Sequence, residues 1–148
     1  LPTEFTADDA VSLYADFFTD FDKVKANAML ADLHIGGRDK IDSMSKGTQE
    51  KMQLCLTMSR AARLYLLDEP LGGVDPAARD YILHTIISNY SKDATVILST
   101  HLIGDIEPVL DEAIFLKDGR VFAHRSVEEL RETEGMSVDA YFREVFKC

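Results

Sequence analysis

Cysteine is scarce in this chain: Cys55 and Cys148 are the two in 148 residues. Two isolated thiols are too few for a disulfide framework or a zinc site, and both are expected to be free. Long apolar runs are missing as well, and none approaches the eighteen or so residues of a membrane-spanning helix. No signal-peptide pattern opens the chain, which is expected to be soluble and cytoplasmic. Positive charge is the third shortage. Lys and Arg number 16 against 26 Asp and Glu, a net charge of −10. A surface for nucleic acid needs a basic face, and this balance argues against one. Internal repeats and low-complexity linkers are not seen. The first residue is Leu1 rather than Met, which suggests a piece of something longer.

What is present is enough for a folded core. An apolar fraction of 46% with 28% charged residues is that of a globular protein, and the length suits one domain or two small lobes. The central stretch is Arg63-Leu64-Tyr65-Leu66-Leu67-Asp68-Glu69-Pro70. Its unbroken apolar run predicts a strand buried on both faces of a parallel sheet. Asp68 and Glu69 then fall at the C-terminal end of that strand, where ligands bind in open α/β sheets. Strand alternation would point the two acids in different directions, suiting one to a metal shell and the other to a water molecule. An acidic cap on an ordinary buried strand reads equally well from these residues alone.

Ahead of it the chain is helical and acidic. Thr6-Ala7-Asp8-Asp9 is a capping box that predicts a helix to about Phe18, with Ala10, Leu13, Tyr14 and Phe17 on one stripe. Asp20 or Asp22 caps a second helix to about Leu33, ended by Gly36-Gly37. These two helices carry more apolar residues than they can bury between themselves. Phe17, Phe18, Phe21 and Val24 are among them, and a leftover exposed cluster would suit a docking groove. Ser45 caps a third helix, from about Lys46 to Ala62. Gly47 in its first turn costs up to about 1 kcal/mol against alanine. Its use would be close approach of the backbone to an anion at the helix N-terminus; a plain cap with a poor glycine is the other reading.

After the acidic pair, Leu71-Gly72-Gly73-Val74-Asp75-Pro76 predicts a tight loop and a helix from Pro76 to about Tyr90, with Tyr81, Ile82, Ile86 and Tyr90 buried. Thr95-Val96-Ile97-Leu98-Ser99 is a second apolar strand, completing a βαβ unit with parallel strands. Thr100-His101 would fall on the sheet edge that carries Asp68 and Glu69, which sets His101 apart from His34, His84 and His124. A helix near Leu102–Leu110 follows. Ala113–Leu116 and Val121–Ala123 then flank an Asp118-Gly119 hairpin turn. Ser126 opens a short helix, and Ser137 caps a last one with Val138, Tyr141, Phe142 and Val145 on its apolar side.

Taken in order, these pieces resemble the ATP-binding cassette (ABC) ATPases. Met44-Ser45-Lys46-Gly47-Thr48-Gln49 is similar to the family signature Leu-Ser-Gly-Gly-Gln, with Lys46 and Thr48 as departures. Leu64 to Glu69 resembles Walker B with the catalytic glutamate, Leu71 to Asp75 the D-loop, and Ser99-Thr100-His101 the switch histidine. The spacings are 23 residues from Ser45 to Asp68 and 33 from Asp68 to His101. No Gly-x-x-x-x-Gly-Lys-Ser/Thr occurs in the sequence. The resemblance is therefore to the C-terminal portion of an exporter-type cassette, without Walker A and the Q-loop.

The resemblance implies an α/β fold, an incomplete P-loop NTPase-type parallel sheet with a small helical subdomain. Residues 1–44 would form that subdomain, 45–62 the signature helix leading back, 63–125 the αβ core and 126–148 the C-terminal helices. It implies hydrolysis of Mg-ATP in the complete protein, with Glu69 orienting or deprotonating the water, Asp68 holding Mg²⁺ and His101 contacting the γ-phosphate. Ser45, Lys46, Gly47 and Thr48 would clamp ATP held by a second ATPase subunit, in a homo- or heterodimer, and Asp75 would lie at the dimer seam. The implied partner is an integral membrane permease, which would hold the chain on the cytoplasmic face of the membrane. No nucleic acid is expected. A non-catalytic dimerisation or coupling module, or a non-transport ATPase of the same superfamily, are the alternatives.

Overall fold

The computed structural model describes residues 4–146; Cys148, expected as a free thiol, lies outside them. Two compact units divide the chain, Leu1–Ser99 and Thr100–Cys148.

The first unit starts with two capped helices. In α1 (Ala7–Phe17) the Thr6 hydroxyl accepts from the Asp9 N–H while the Asp9 carboxylate accepts from the Thr6 N–H, the reciprocal box the sequence predicts. Asp22 is the residue that caps α2 (Lys23–Asp32), accepting from Lys25 N at 2.9 Å. The helix ends before the glycines. His34 takes φ 57, and Ile35 N and His34 N donate back to the carbonyls of Leu30 and Ala31. That pair of bonds is a Schellman motif, sealed by the burial of Leu30 and Ile35. Ala10 is buried as expected, but Phe17 is 75% exposed and has left the expected stripe.

Helix α3 (Lys46–Met58) stops four residues short of the predicted Ala62. Ser59 is buried and its hydroxyl turns back onto the Cys55 carbonyl. The chain beyond it leaves the helix to pair with the segment between α1 and α2: Asp22 N donates to Ser59 O, and Ala61 N to Asp20 O. Arg60 fastens this crossing. Its guanidinium makes two 3.0 Å bonds to the Asp20 carboxylate and lies 3.9 Å from the Phe18 ring centre.

Strand β1 (Leu64–Asp68), helix α4 (Pro76–Asn89) and strand β2 (Thr95–Ser99) form the βαβ unit, with β1 and β2 parallel and Asp68 in register with Ser99. The expectation of a strand buried on both faces fails. Tyr65 is buried and Leu67 half-buried, while Leu64, Leu66 (68%) and Ile97 (48%) are exposed. This sheet has two strands, and α3 and α4 supply the buried layer of the unit: Met52, Leu56, Met58, Ile82 and Ile86 are buried there. Period-2 alternation therefore puts Leu64, Leu66 and Asp68 on the open face with Thr95, Ile97 and Ser99. Tyr90, expected in the α4 stripe, lies just past the helix and is exposed. Lys25 reaches from α2 to the end of α4 and donates to Asn89 O at 2.6 Å.

In the second unit the helix expected over Leu102–Leu110 is broken. Four α-helical residues, α5 (Ile103–Ile106), give way to a 3₁₀ turn over Glu107–Val109. Pro108 has no N–H to continue the α ladder. Strands β3 (Glu112–Lys117) and β4 (Arg120–Ser126) pair antiparallel around Asp118 and Gly119, both at positive φ, the Asp-Gly turn the sequence predicts. Helices α6 (Val127–Thr133) and α7 (Val138–Val145) start at Ser126 and Ser137 caps. They cover one face of the hairpin through Phe115, Val127, Leu130 and Val138, with Tyr141 against Phe115. Phe142, expected on the buried side of α7, is partly exposed and stacks on Phe146.

Candidate functional site

The head of α3 is built from the turn before it. Residues Ile41–Ser43 form a 3₁₀ turn, and the Gln49 side-chain amide donates to the carbonyls of Ile41 (2.8 Å) and Met44 (3.2 Å). Gln49 thus fixes the angle at which the chain enters the helix. Ser45 sits at the N-cap in extended backbone, and its Oγ accepts from Thr48 N at 3.2 Å and bonds the Thr48 hydroxyl at 2.8 Å. Lys46 projects from the surface with Glu50 at 3.9 Å, one turn on. Gly47 does not have a positive φ, and a methyl group there would meet nothing within 4 Å. Nothing in the fold of this chain calls for a glycine at that place. Backbone amides of a first helical turn next to a lysine can meet an anion.

The acidic pair is held differently. Asp68 ends β1 on the open face, and its Oδ1 accepts a short hydrogen bond from the Ser99 hydroxyl. Glu69 leaves the strand with φ 45, backbone that residues other than glycine rarely adopt. Its N–H donates to Ser99 O at 2.9 Å and approaches Ser99 Oγ at 3.1 Å. Its carbonyl accepts from Gly72 N at 2.9 Å, closing a turn. A Cβ on Gly72 would come 3.2 Å from that carbonyl, which is why glycine suits the position. The direction of Glu69 is set by this turn and not by strand alternation. Leu71 and Val74 are buried and anchor the loop, and Asp75 precedes α4, its carbonyl accepting from Arg79 N.

Asp68, Glu69 and Ser99 are therefore joined by hydrogen bonds, whereas Ser45 to Thr48 form a separate group at the head of α3. His101 is exposed and belongs to the second unit, following β2 by two residues. Ser99 and Gln49 are positions that reading the sequence left without a role. A polar residue opposite Asp68 in a βαβ unit was the available signal for Ser99.

The donor set decides which metal fits. Among the described residues no group of three or more His, Cys, Asp or Glu could hold an ion. Mg²⁺ keeps much of its water and is typically held by one or two carboxylates plus substrate phosphates. An exposed carboxylate with one oxygen fixed by Ser99, as at Asp68, fits that use.

A family model described as "AAA domain, putative AbiEii toxin, Type IV TA system" matches residues 8–104. The chain is similar to the ABC-type transporter ATP-binding protein EcsA of Bacillus subtilis (strain 168), 35% identical over 92 residues, 62% of this chain and 37% of that protein. It is also similar to the ABC transporter ATP-binding protein YtrB of the same organism, 25% identical over 130 residues, 87% of this chain and 44% of that protein. The chain thus spans less than half the length of these relatives. A solved structure described as an ATP binding subunit of an ABC transporter superposes with a TM-score of 0.82 at 26% identity, covering 99% of this chain and 65% of that one. The α/β fold, with its short parallel sheet beside a helical lobe, is accordingly that of the P-loop NTPases. By the matched family model the chain belongs to the AAA-domain family, and the relatives and solved structure it is similar to are ABC transporter ATP-binding proteins.

Proposed function

We propose that this chain carries the hydrolytic acids and the signature helix of an ABC transporter ATPase subunit, in which ATP binding and hydrolysis are coupled to transport across a membrane. The observation that carries the reading is the acidic pair at the C-terminal end of β1, with Asp68 tied to Ser99 and Glu69 turned out of the strand. Phosphoryl transfer to water asks little covalent chemistry of the protein; positioning and charge stabilisation do the work. Asp68 would hold Mg²⁺, through water, and the ion would neutralise charge on the phosphates. Glu69 would orient or deprotonate the attacking water, and His101 would contact the γ-phosphate.

Ser45, Lys46, Gly47 and Thr48 would act on ATP bound by a second ATPase subunit, with Asp75 at the seam between the two. The unneeded glycine at position 47 supports a ligand's close approach there. Residues 1–44 would serve as the helical subdomain, 63–125 as the αβ core and 126–148 as the C-terminal helices. The lobe is proposed to dock on an integral membrane permease at the cytoplasmic face. Phe17 and Val24, 75% and 81% exposed, support this site; the shallow depression beside them mixes Phe18, Phe21 and Val24 with Asp20, Asp22 and Lys23. No helix among the described residues is long and apolar enough to cross a membrane, so a permease would supply the spans.

In the complete protein Glu69→Gln should lower ATP turnover by about 10² to 10⁴, the usual worth of general-base help, while ATP binding persists. Steady-state hydrolysis and nucleotide binding measured on the same preparation check this. Near-normal turnover in the variant removes Glu69 from the role of base.

A further inference from the structure

The Ser99 hydroxyl touches both acidic residues at the end of β1. It donates to Asp68 Oδ1 and lies 3.1 Å from the Glu69 N–H, whose main bond goes to the Ser99 carbonyl at 2.9 Å. A hydroxyl has one proton and two lone pairs, so it can donate to the one and accept from the other at once. The parallel register places Ser99 directly opposite Asp68, and both side chains stand on the open face of the sheet. Glu69 keeps φ 45, and backbone in such a region persists only where its surroundings over-determine it. Here those surroundings include two acceptors from one serine.

We propose that Ser99 is a positioning residue for the acidic pair. Its hydroxyl aims the Asp68 carboxylate, which would hold Mg²⁺, and helps pin the backbone that carries Glu69, which would orient the attacking water. This rests on the ATPase reading above and adds a residue to it. Valine or alanine at position 99 removes the donor to Asp68 and one acceptor of the Glu69 N–H. Threonine keeps the hydroxyl and suits a strand.

The test is ATP hydrolysis by the complete protein at saturating ATP, titrated with Mg²⁺, together with Mn²⁺ binding to the protein with a non-hydrolysable ATP analogue, followed by EPR without turnover, for the wild type, Ser99→Val, Ser99→Ala, Ser99→Thr and, as reference, Asp68→Asn. Loss of a residue that orients a metal ligand costs about 10- to 100-fold in metal affinity or activity. Ser99→Val and Ser99→Ala should show that loss as a raised Mg²⁺ requirement, weaker Mn²⁺ binding and a lower kcat, with KM for ATP little changed. Ser99→Thr should return all three towards the wild type. Threonine and valine have nearly the same shape, so their difference reads the hydroxyl alone. Equal behaviour of the two, whether both active or both impaired, overturns the proposal. Should Ser99→Val not fold, Ser99→Ala against Ser99→Thr answers the same question. If the wild type shows no Mg²⁺-dependent hydrolysis, or Asp68→Asn titrates like it, the ATPase reading itself fails. An impaired Asp68→Asn beside an unaffected Ser99→Ala and Ser99→Val sinks only the role of Ser99.

Discussion

His34 ends α2 with a left-handed backbone that its side chain resists. The φ of 57 is required by the two bonds that close the helix, from His34 N to Ala31 O at 2.9 Å and from Ile35 N to Leu30 O at 3.0 Å. Glycine is the usual residue at such a position because it has no Cβ to clash with the carbonyl. His34 is exposed, so its side chain brings little burial to offset the strain. His34→Gly should therefore stabilise the chain by about 0.5–1 kcal/mol, and His34→Val should destabilise it by at least as much. Urea unfolding midpoints of the three proteins check the order; a His34→Gly variant less stable than the wild type contradicts it. Glu69 has the same unusual φ with a different origin, since its bonds run to Ser99 in the neighbouring strand.

At the scale of elements, the contact between α3 and α4 has a pH dependence built in. Cys55 of α3 is fully buried and its sulfur lies 3.9 Å from the Tyr81 hydroxyl of α4. Burial pushes the thiol up to about 11, and burial together with the neighbouring thiol pushes the phenol up to about 12. In the unfolded chain these groups lose their protons near their ordinary values, about 8.5 and 10. The folded state binds protons that the unfolded state has released, so stability is full below about pH 8.5 and falls as pH rises towards 11. Cys55→Ala should be less stable at neutral pH, from the small cavity left, and should flatten the first part of the alkaline decline. Midpoints of urea unfolding from pH 7.5 to 11 give the comparison. Parallel curves for the two proteins would remove Cys55 as the source.

For the whole molecule, the proposed ATPase role turns on a phosphate-binding loop. A glycine-rich loop that cradles phosphates with its backbone N–H groups supplies the main ground-state contacts of P-loop enzymes, and no such motif occurs in the 148 residues. The chain by itself should neither bind Mg-ATP tightly nor hydrolyse it. Calorimetry is the check, and micromolar binding by the isolated chain would contradict the expectation. The open face of the β1–β2 sheet belongs to the same scale: Leu64, Leu66 and Ile97 stand exposed there although their strands read as core.

Local chemistry was legible where neighbouring residues settle it. The Thr6 box, the Ser45, Ser126 and Ser137 caps and the Asp118-Gly119 turn all depend on atoms within about four positions and were legible from the amino acids, whereas the choice of Asp22 over Asp20 as the α2 cap was not. The apolar runs likewise determined two strands with a helix between them, hence parallel pairing, and so placed Asp68 and Ser99 at one end of the sheet. Partners distant in the chain decided the rest. Helix α3 ended early because Ser59 to Ala61 found bonds with residues 20–22. The strand expected to be buried on both faces, β1, was covered on one, because periodicity reports what a side chain prefers and not whether a second layer is there to meet it. Ser99 gained its place beside the acidic pair in the same way: the sequence supplied a hydroxyl, and only the register of two strands 30 residues apart put it within reach of both Asp68 and Glu69.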